Sequence, residues 1–523
     1  MKYKVFTKIS IAIGLIIWSG PGLPASVLAA DPPYLTYAQQ VSANVPAGSY
    51  VYDDLEKLSG LGYTTNLPTG TKPYTRMQVA KWLQTILTDT SGATLPPYAA
   101  SMLQELRKEF APELNILNRQ PAKNGVRLQE ISLGENYYHG QTLPQQKTKS
   151  TYQPLNVYNN GYRYAPDFNT DLSFRLEGKI QDDTVLSLTP RVSYDDLEST
   201  QITLDSAYLT THINNMAIQI GKDSLWWGQG EHGSLLLTNN AAPLTMIKLS
   251  NLEPHQIGGF FKFLGATNTT FIYSVLENHR SDVNYPSFAG LRMDFTPNPN
   301  FTFALAGTAI VGGQGRMLQS SDYWHLITGK NAASAGADKW DSIAGGDFRW
   351  RLPQFNDIQL YGEFYGEDQV PVLKVIPLPS DMGELLGIYI PRLSASGDWD
   401  AHFEWAHTRN TWYNHWAYTS GYTFQDNILG DAIGNNAYRY YGKFTHYSAN
   451  GSQLAVNLER VSQQFTGNTP EIITSLWLSW RQKVDKDTYA DLVLGAAKIQ
   501  NSAFVAGNKD RDYLAGIRLT RYY

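Results

Sequence analysis

The sequence predicts an all-β transmembrane antiparallel barrel of about 16 to 18 strands with a small N-terminal α-helical module. Three observations lead to this prediction. Apolar and polar residues alternate with a period of two along many segments after residue 171. Short turns alternate with long connections between these segments. No run after residue 30 approaches the roughly 18 apolar residues of a membrane-spanning helix, although 13% of the 523 residues are aromatic.

Residues 1–30 have the order of a secretory signal peptide. Lys2, Lys4 and Lys8 precede the apolar run from Ile9 to Trp18, and small residues end the segment. Cleavage removes three lysines and no acidic residue, which lowers the formal net charge from −5 by three. A general attraction to polyanions such as nucleic acid is therefore not expected. The absence of cysteine excludes disulfides, thiol nucleophiles and lipidated cysteine.

The next segment, residues 31–125, has helical rather than alternating periodicity and predicts a small helical module in the periplasm. Apolar residues recur at helical spacing in SYVYDDLEKLSGLGY and TRMQVAKWLQTILTD, and ASMLQELRKEFAPEL predicts a third helix that ends at Pro112. Residues 126–170 are expected to form a linker and the first barrel strand region, and residues 171–523 the outer-membrane β-barrel.

Alternation is clearest where charged residues occupy every second position of a predicted strand. In DLSFRLEGKI, Phe174 and Leu176 share one face, whereas Arg175, Glu177 and Lys179 share the other. Three charges on one face suit a watery lumen better than a dry core. WDAHFEWAHT repeats the pattern with apolar residues at 399, 403 and 405 opposite polar residues at 400, 402 and 404.

The turns distinguish a barrel from a soluble β-sandwich, which also alternates. Outer-membrane barrels have short periplasmic turns and long outer loops. Short turns are predicted at 297–300, 353–356, 395–398, 448–451 and 485–487. Long connections are predicted near 278–287, 311–341, 367–384, 410–436, 462–471 and 500–511. Residues 181–184 and 213–216 become inner turns if 244–264 forms one long, bent strand, whereas a split of that segment at Pro254 reverses the assignment.

The stretch GKDSLWWGQGEHGSLLLTNNAAP, residues 221–243, resembles the signature of the Wzi-type capsule assembly proteins. In that family a Gly-x-x-x-x-x-Trp-Gly-x-Gly element is followed by a Ser-Leu-x-Leu-(Ser/Thr)-Asn-Asn-Ala-x-Pro element. The motif residues of interest here are Gly221, Trp226, Trp227, Gly228, Gly230, Glu231, Ser234, Asn239, Asn240 and Pro243. Residues 402–410 and 421–444 resemble later family segments. The sequence departs from the family at Gln229, where proline is common, and at His407, where an acidic residue is common.

The resemblance implies a non-catalytic outer-membrane barrel that attaches or organises capsular or other exported polysaccharide at the cell surface. It also implies contact with outer-membrane lipid. A porin-like channel for sugars or other solutes is the first alternative, and an outer-membrane glycan hydrolase is the second. The resemblance implies no catalytic residue and no cofactor.

Three interpretations of residues 221–243 remain open. The glycines permit tight turns and Asn239 and Asn240 can satisfy buried backbone groups, so the stretch can be a structural plug. Alternatively, Trp226, Trp227, Glu231 and His232 contact glycan. Third, Glu231 acts as an acid or base with Asp223; glycosidases need two carboxylates at a fixed separation, which sequence spacing does not establish.

The better candidates for polysaccharide contact lie in predicted outer loops. In the 410–436 loop these are Trp412, Tyr413, His415, Trp416, Tyr418 and Tyr422. The 311–341 loop adds Arg316, Tyr323, Trp324, His325 and Lys330, whose basic groups can meet uronate or phosphate substituents. An interfacial aromatic girdle and solvated loop charges are the alternative interpretations.

Residues 45–83 also resemble, weakly, a single S-layer homology unit. Tyr52, Leu55, Leu58, Gly62 and Pro73 fall in the expected order, but the glutamate that usually follows the Thr-Arg helix start is absent. This resemblance implies attachment of the module to cell-wall polymer, with packing beneath the barrel as the alternative. The ten histidines show no metal-binding spacing, so no metal is expected.

Overall fold

The computed structural model describes residues 35–64, 70–120, 124–140, 152–322, 339–372, 376–464 and 469–523, apart from the side chains of 368–380. The predicted signal peptide lies outside the described residues. Residues 37–523 form one compact unit.

Eighteen long antiparallel strands of the described chain close into a barrel. Each strand pairs with the next along the chain, and the first pairs with the last. The barrel strands are β2 (Gly125–His139), β3 (Asp167–Gln181), β4 (Thr184–Asp195), β5 (Ser199–Ile213), β6 (Met216–Asp223), β8 (Leu244–Asn251), β10 (Ala266–Val275), β11 (Ser287–Asn298), β12 (Phe301–Val311), β13 (Trp340–Leu352), β14 (Ile358–Val372), β15 (Ile376–Ile390), β16 (Trp399–Thr408), β19 (Ala437–Tyr447), β20 (Gln453–Gln463), β21 (Glu471–Lys483), β22 (Thr488–Gln500) and β23 (Lys509–Tyr522). The remaining strands are short: β1 (Thr71–Lys72) pairs with β7 (Trp226–Trp227), β17 (Thr423–Phe424) pairs with β18 (Asn427–Ile428), and β9 (His255–Gln256) pairs with β10.

The predicted orientation of the strands is confirmed. On β16, Trp399 and Phe403 are 38% and 40% exposed on the outer face, whereas Asp400, His402 and Glu404 are buried on the inner face. The two faces follow from the two-residue period of a strand. An outward apolar face and an inward polar face are the arrangement that a bilayer requires of a barrel.

The expectation of a watery lumen is wrong at Arg175 and Glu177. Both side chains point inward and are buried, at 5% and 3% exposure. The Arg175 guanidinium lies 3.0 Å from the Glu130 carboxylate and 3.8 Å from that of Glu109, which belongs to the helical module. The charges on this face are therefore neutralised by packed partners rather than by water.

The helical module contains α1 (Tyr37–Gln40), α2 (Val51–Gly60), α3 (Arg76–Asp89), α4 (Pro97–Glu109) and α5 (Ala111–Leu117). The predicted helices are confirmed, and Thr75 caps the start of α3, because its side chain accepts the Gln78 N–H at 3.1 Å. Pro112 does not end the third helix, because α4 already ends at Glu109; it lies in the first turn of α5, where proline is tolerated. No described helix is both long and apolar enough to cross a bilayer.

The helical module closes the end of the barrel that carries the short turns. The Lys57 ammonium is fully buried, donates to the Pro391 carbonyl at 2.7 Å and lies 3.5 Å from the Asp400 carboxylate. Lys108 donates to the carbonyl of Lys486 in the 484–487 turn at 2.8 Å. These contacts place the short turns near 391 and 484–487 at the module's end of the barrel. The long connection predicted near 367–384 is wrong, because β14 runs to Val372, β15 begins at Ile376 and the two strands pair across most of that range.

One expectation about this end is wrong in detail. Residues 244–264 do not form a single bent strand, since β8 ends at Asn251 and a 3-10 turn occupies Gly259–Leu264. The connection 252–265 joins two neighbouring antiparallel strands, β8 and β10, at the same end of the barrel. The assignment of the turns to the two ends of the barrel is therefore unchanged. The stretch 224–243 accordingly begins at the opposite end, where the long loops lie.

Asp54, which joins the module to the barrel, makes the stability of the folded state depend on pH. Its carboxylate accepts from Gln453 Nε2 at 2.6 Å, while burial and the nearby Glu105 raise its pKa from 3.8 to about 8. Between these two values the unfolded state ionises and the folded state stays protonated, so this group progressively destabilises the folded state as pH rises from about 4 to about 8. Asp54→Asn should therefore raise the melting temperature more at pH 9 than at pH 4, as measured by calorimetry in detergent. An equal shift at both pH values would contradict this assignment.

Candidate functional site

The stretch 224–243, here called the lumen segment, fills the barrel interior between β6 and β8. Trp227, Leu235 and Leu236 have no exposed surface, and most other residues of the segment are buried with them. Its contacts reach strands on the opposite wall, including β14, β16 and β19. The plug interpretation of the motif is the one that this burial supports.

Glycines are required where the lumen segment turns. Gly228 has φ +147°, and a Cβ there would lie 2.0 Å from Ser234 Oγ and 2.3 Å from Glu363 Oε1. A Cβ at Gly230 would lie 2.0 Å from the Gly233 carbonyl oxygen. Any side chain at either position would displace the turn from the wall, which explains the glycine spacing of the motif.

Two inward carboxylates hold the lumen segment by its backbone. Glu363 on β14 accepts the Gly230 N–H at 2.9 Å and the Leu235 N–H at 2.8 Å. Glu404 on β16 accepts the N–H groups of Glu231 and His232, the latter at 3.0 Å. Hydrogen bonds to a carboxylate are stronger than neutral ones, so the wall fixes the segment at two points.

The asparagine pair satisfies backbone groups, as the sequence predicts. Asn239 Nδ2 donates to the Tyr158 carbonyl at 2.6 Å, and Asn240 Nδ2 donates to the Ile428 carbonyl at 2.9 Å. Each amide thus joins the lumen segment to a different loop. A buried carbonyl without a donor would cost free energy, so these contacts stabilise the packed loops.

Glu231 is an ion-pair partner rather than a free acid. Its carboxylate lies 2.6 Å from the Lys443 ammonium. Burial by itself raises the pKa of Glu231, but Lys443, His402 and Lys72 hold that pKa well below its usual range. Asp223, the second carboxylate of the hydrolase interpretation, is occupied by Asn44 and Gln219 at 2.7 and 2.9 Å. This geometry offers Glu231 no proton to donate at neutral pH.

The remaining polar motif side chain, His232, is packed between rings. It stacks on Tyr441 with ring centroids 4.3 Å apart, and its Nε2 lies 3.3 Å from Glu459. Trp226 is 7% exposed and meets the Tyr158 ring edge-on at 5.4 Å. Trp226, Trp227 and His232 therefore present no open ring face to a glycan in this arrangement.

Glu56, Glu231 and His402 bring metal-ligand atoms within 4.8 Å of one another, and they are the group of this kind found among the described residues. Both carboxylates are already paired with cations, Glu56 with Arg349 and Glu231 with Lys443. A divalent ion would have to displace these cations. The cluster is an ion-pair network that joins α2 to the lumen segment.

The 410–436 loop was expected to present its aromatic residues at the surface, and this is wrong for four of the six. Trp412, Tyr413, Tyr418 and Tyr422 are at most 2% exposed because the loop folds onto the lumen segment. Tyr413 and Tyr422 stack at 5.5 Å and donate their hydroxyls to the carbonyls of Leu235 and Leu236, respectively, at 2.5 and 3.0 Å.

The other predicted contact residues either lie near the surface or fall outside the residues that the structure describes. Trp416 is 62% exposed and stacks with the half-buried His415 at 5.9 Å. The half-buried Arg316 places its guanidinium 4.9 Å from the Tyr418 ring centroid. Tyr323, Trp324, His325 and Lys330 lie outside the described residues.

Residues 152–166 are a third lumen element, within the range 126–170 that the sequence predicts as a linker and first barrel strand region. The Tyr158 hydroxyl donates to Asp431 at 2.9 Å, and the Asn160 N–H donates to the Asn239 carbonyl at 2.7 Å. Tyr152 donates to Glu459 on β20. The tyrosine-rich and asparagine-rich composition of NVYNNGYRY was the available signal, since such residues combine ring packing with hydrogen bonding.

The 410–436 loop contains one buried and one exposed tryptophan, and replacing each in turn distinguishes a packing role from a surface role. Trp412→Ala should lower the free energy of unfolding by about 3–5 kcal/mol, because the indole is fully buried and packs on Gly383 of β15. Trp416→Ala, the matched control, should lower it by less than about 1 kcal/mol. Urea unfolding in lipid vesicles measures both values, and equal losses would mean that the loop is not folded inward.

Comparison with known proteins agrees with this geometry. A protein described as "Uncharacterized 55.8 kDa protein in cps region" of Klebsiella pneumoniae is 24% identical over 168 residues, 32% of this chain and 33% of that protein. The match thus spans about a third of that relative. The solved structure of Wzi, an Escherichia coli outer-membrane protein involved in group 1 capsule assembly and described as a carbohydrate-binding β-barrel, has a TM-score of 0.68 at 19% identity. That similarity covers 91% of this chain and 99% of Wzi, and it shows the fold.

The model of the family "Capsule assembly protein Wzi" matches residues 138–513. This range contains the lumen segment, both loops that pack on it and almost all of the barrel. The chain belongs to the Wzi family of capsule assembly proteins.

Proposed function

We propose that this protein is a non-catalytic outer-membrane barrel that attaches or organises capsular or other exported polysaccharide at the cell surface. The observation that carries the proposal is a barrel of the Wzi family whose lumen is filled from the long-loop end by the motif and two further loops. Such filling leaves the loop surface, rather than the interior, as the place where a long polymer can bind. The carbohydrate binding named for the Escherichia coli structure supports the same conclusion.

The contact surface that we propose contains Trp416, His415 and Arg316. An exposed indole offers a face for the C–H groups of a sugar ring, and a guanidinium pairs with uronate or phosphate substituents. Trp416 is the most exposed of the six aromatic candidates with 62% of its surface accessible. The buried rings of the same loop would hold this surface in place without touching polymer.

We place the barrel in the outer membrane and the helical module on its periplasmic side. The module packs against the short turns, which are periplasmic in outer-membrane barrels. Tyr52, Leu55 and Leu58, which carry the S-layer-like resemblance, are core residues of the module. Their burial supports packing beneath the barrel over attachment to cell-wall polymer.

A solute channel is the second candidate, and one observation favours it. On β22 and β23 the inward-facing side chains of Asp491 and Arg518 are 38% and 32% exposed, so part of the lumen is accessible to solvent. The helical module closes the short-turn end of this space, where Tyr50 stacks on Tyr489 of β22 with ring centroids 6.3 Å apart. A solvent-accessible space that is closed at one end does not conduct.

Planar-bilayer recordings distinguish these two candidates. We expect the purified full chain to give no stable open-channel current, because the lumen segment and the module close the lumen along its length. A porin reconstituted by the same procedure serves as the control for insertion. Steady single-channel currents from this protein would support the channel and contradict a closed barrel.

Polysaccharide retention tests the proposed function directly. Deletion of the gene should move surface polysaccharide from the cell-bound to the released fraction, and the intact gene should restore retention. The triple change Trp416→Ala, His415→Ala and Arg316→Ala should release polymer while the amount of barrel in the outer membrane stays unchanged. Uronic-acid or hexose assays of the two fractions measure the effect.

The matched control is Phe355→Ala, which removes an aromatic ring that is 59% exposed at the short-turn end. It should leave retention unchanged because that end faces away from the polymer. Full retention in the deletion strain would refute the proposed function. Full retention in the triple variant alone would refute the proposed contact surface.

A further inference from the structure

The connection 252–265 carries an exposed aromatic cluster that the barrel does not need. Its 3-10 turn, Gly259–Leu264, reads GFFKFL. Phe260, Phe261 and Phe263 are 84%, 53% and 61% exposed, and the rings pack mainly on one another, with Phe260 5.5 Å from Phe261 and 5.9 Å from Phe263. Three neighbouring exposed phenylalanines form an apolar patch that is unfavourable in water and marks a contact surface.

The turn lies at the periplasmic end of the barrel, on its outer side. Glu253, in the same connection, lies 3.3 Å from the Lys81 ammonium of α3, which fixes the level of the connection beside the module. The turn packs against β11. Gly265, which ends it, is so close to this strand that a Cβ would lie 1.9 Å from the Thr296 carbonyl oxygen.

The adjoining surface of β11 belongs to the lipid-facing side. Arg292 and Asp294 are buried on the inner face of β11, so Leu291, Met293 and Phe295 lie on the opposite, outward face, where Leu291 is 41% exposed and Phe295 is 4% exposed. Phe295 stacks on Phe303 of β12 at 4.9 Å. The patch therefore continues the apolar outer surface of the barrel at its lower edge.

The composition of the turn matches the boundary between headgroups and acyl chains. Aromatic girdles surround outer-membrane barrels at this level, phenylalanine also packs at the headgroup boundary in interfacial segments, and a lysine there extends its ammonium to the phosphates. Lys262 lies among the three rings, and no acidic residue occurs between Glu253 and Glu277. The only carboxylate of the connection, that of Glu253, is paired with Lys81. An anionic phospholipid would therefore meet the Lys262 cation without an unpaired carboxylate nearby in the connection.

We propose that the Gly259–Leu264 turn inserts into the periplasmic leaflet of the outer membrane, with its phenyl rings at the acyl boundary and Lys262 on phospholipid phosphate. The connections PNPN, SANG and DKD at the same end contain no aromatic residue, and the 353–356 turn contains a single one, Phe355. The insertion therefore ties one side of the barrel to the leaflet and sets its height and tilt. This inference depends on the outer-membrane location and not on polysaccharide binding.

The absence of cysteine makes the test direct. Phe260→Cys in the full chain is labelled with a nitroxide and reconstituted into vesicles of phosphatidylcholine and phosphatidylglycerol. Collisions of the label with oxygen and with a water-soluble nickel chelate report its depth. Leu494→Cys, which replaces a lipid-facing side chain that is 58% exposed in mid-strand, is the acyl control. Lys486→Cys, in a polar turn where the side chain is 89% exposed, is the aqueous control.

We expect the oxygen-to-nickel ratio at position 260 to lie several-fold above that at 486 and below that at 494. A ratio equal to that at 486 would overturn the proposal. Spin–spin broadening at position 260 that disappears on dilution with unlabelled protein would also overturn it, because the patch would then be covered by a second copy.

Lys262→Glu, added to the Phe260→Cys chain, tests the phosphate contact. The ratio at position 260 should fall toward the aqueous value in vesicles that contain phosphatidylglycerol. It should fall less in vesicles of phosphatidylcholine alone, because the repulsion between the introduced carboxylate and an anionic headgroup is then absent. No fall in either lipid would overturn the assignment of Lys262 to phosphate.

Discussion

The rest of this structure depends on how the inward-facing carboxylates of the barrel wall are satisfied. A closed ladder of eighteen strands leaves an interior too wide for wall side chains to fill alone. Glu363 has no exposed surface and therefore needs donors from within the lumen. The backbone N–H groups of Gly230 and Leu235 supply them, which makes the conformation of the lumen segment a condition for the stability of the wall.

The same need explains why three connections fold inward instead of remaining outside. The loop 410–436 brings Asp431 to the buried Arg439 on β19 at 2.7 Å. Tyr158, from the 152–166 connection, donates to the same aspartate. Each of these inward charges is thus met by a loop, and each loop contacts the lumen segment. The helical module does the same from below, where Glu56 meets Arg349 on β13.

The sequence predicted the wall better than the interior, for a physical reason. Strand orientation follows from local alternation, so residues 399–408 could be assigned to the correct faces without knowing their partners. The direction in which a loop folds depends on distant residues. Trp412 and Trp416 look alike in sequence, but only Trp412 meets a strand glycine, Gly383, that leaves room for its indole. The role of Glu363 as an acceptor was likewise invisible, because its donors lie more than a hundred residues away.

The pairing of β2 with β23 constrains the order in which the molecule can assemble. Residues 130–139 pair with residues 513–522, so the sheet becomes a closed ring only when the most distant strands of the described chain meet. Contacts at such separation form late, because the loop-closure entropy must be overcome first. The lumen segment and its companion loops are all covalently present before that seam is joined. Joining this seam encloses the lumen segment and its companion loops within the wall, so the integrity of the β2–β23 pairing and the containment of the lumen segment are linked.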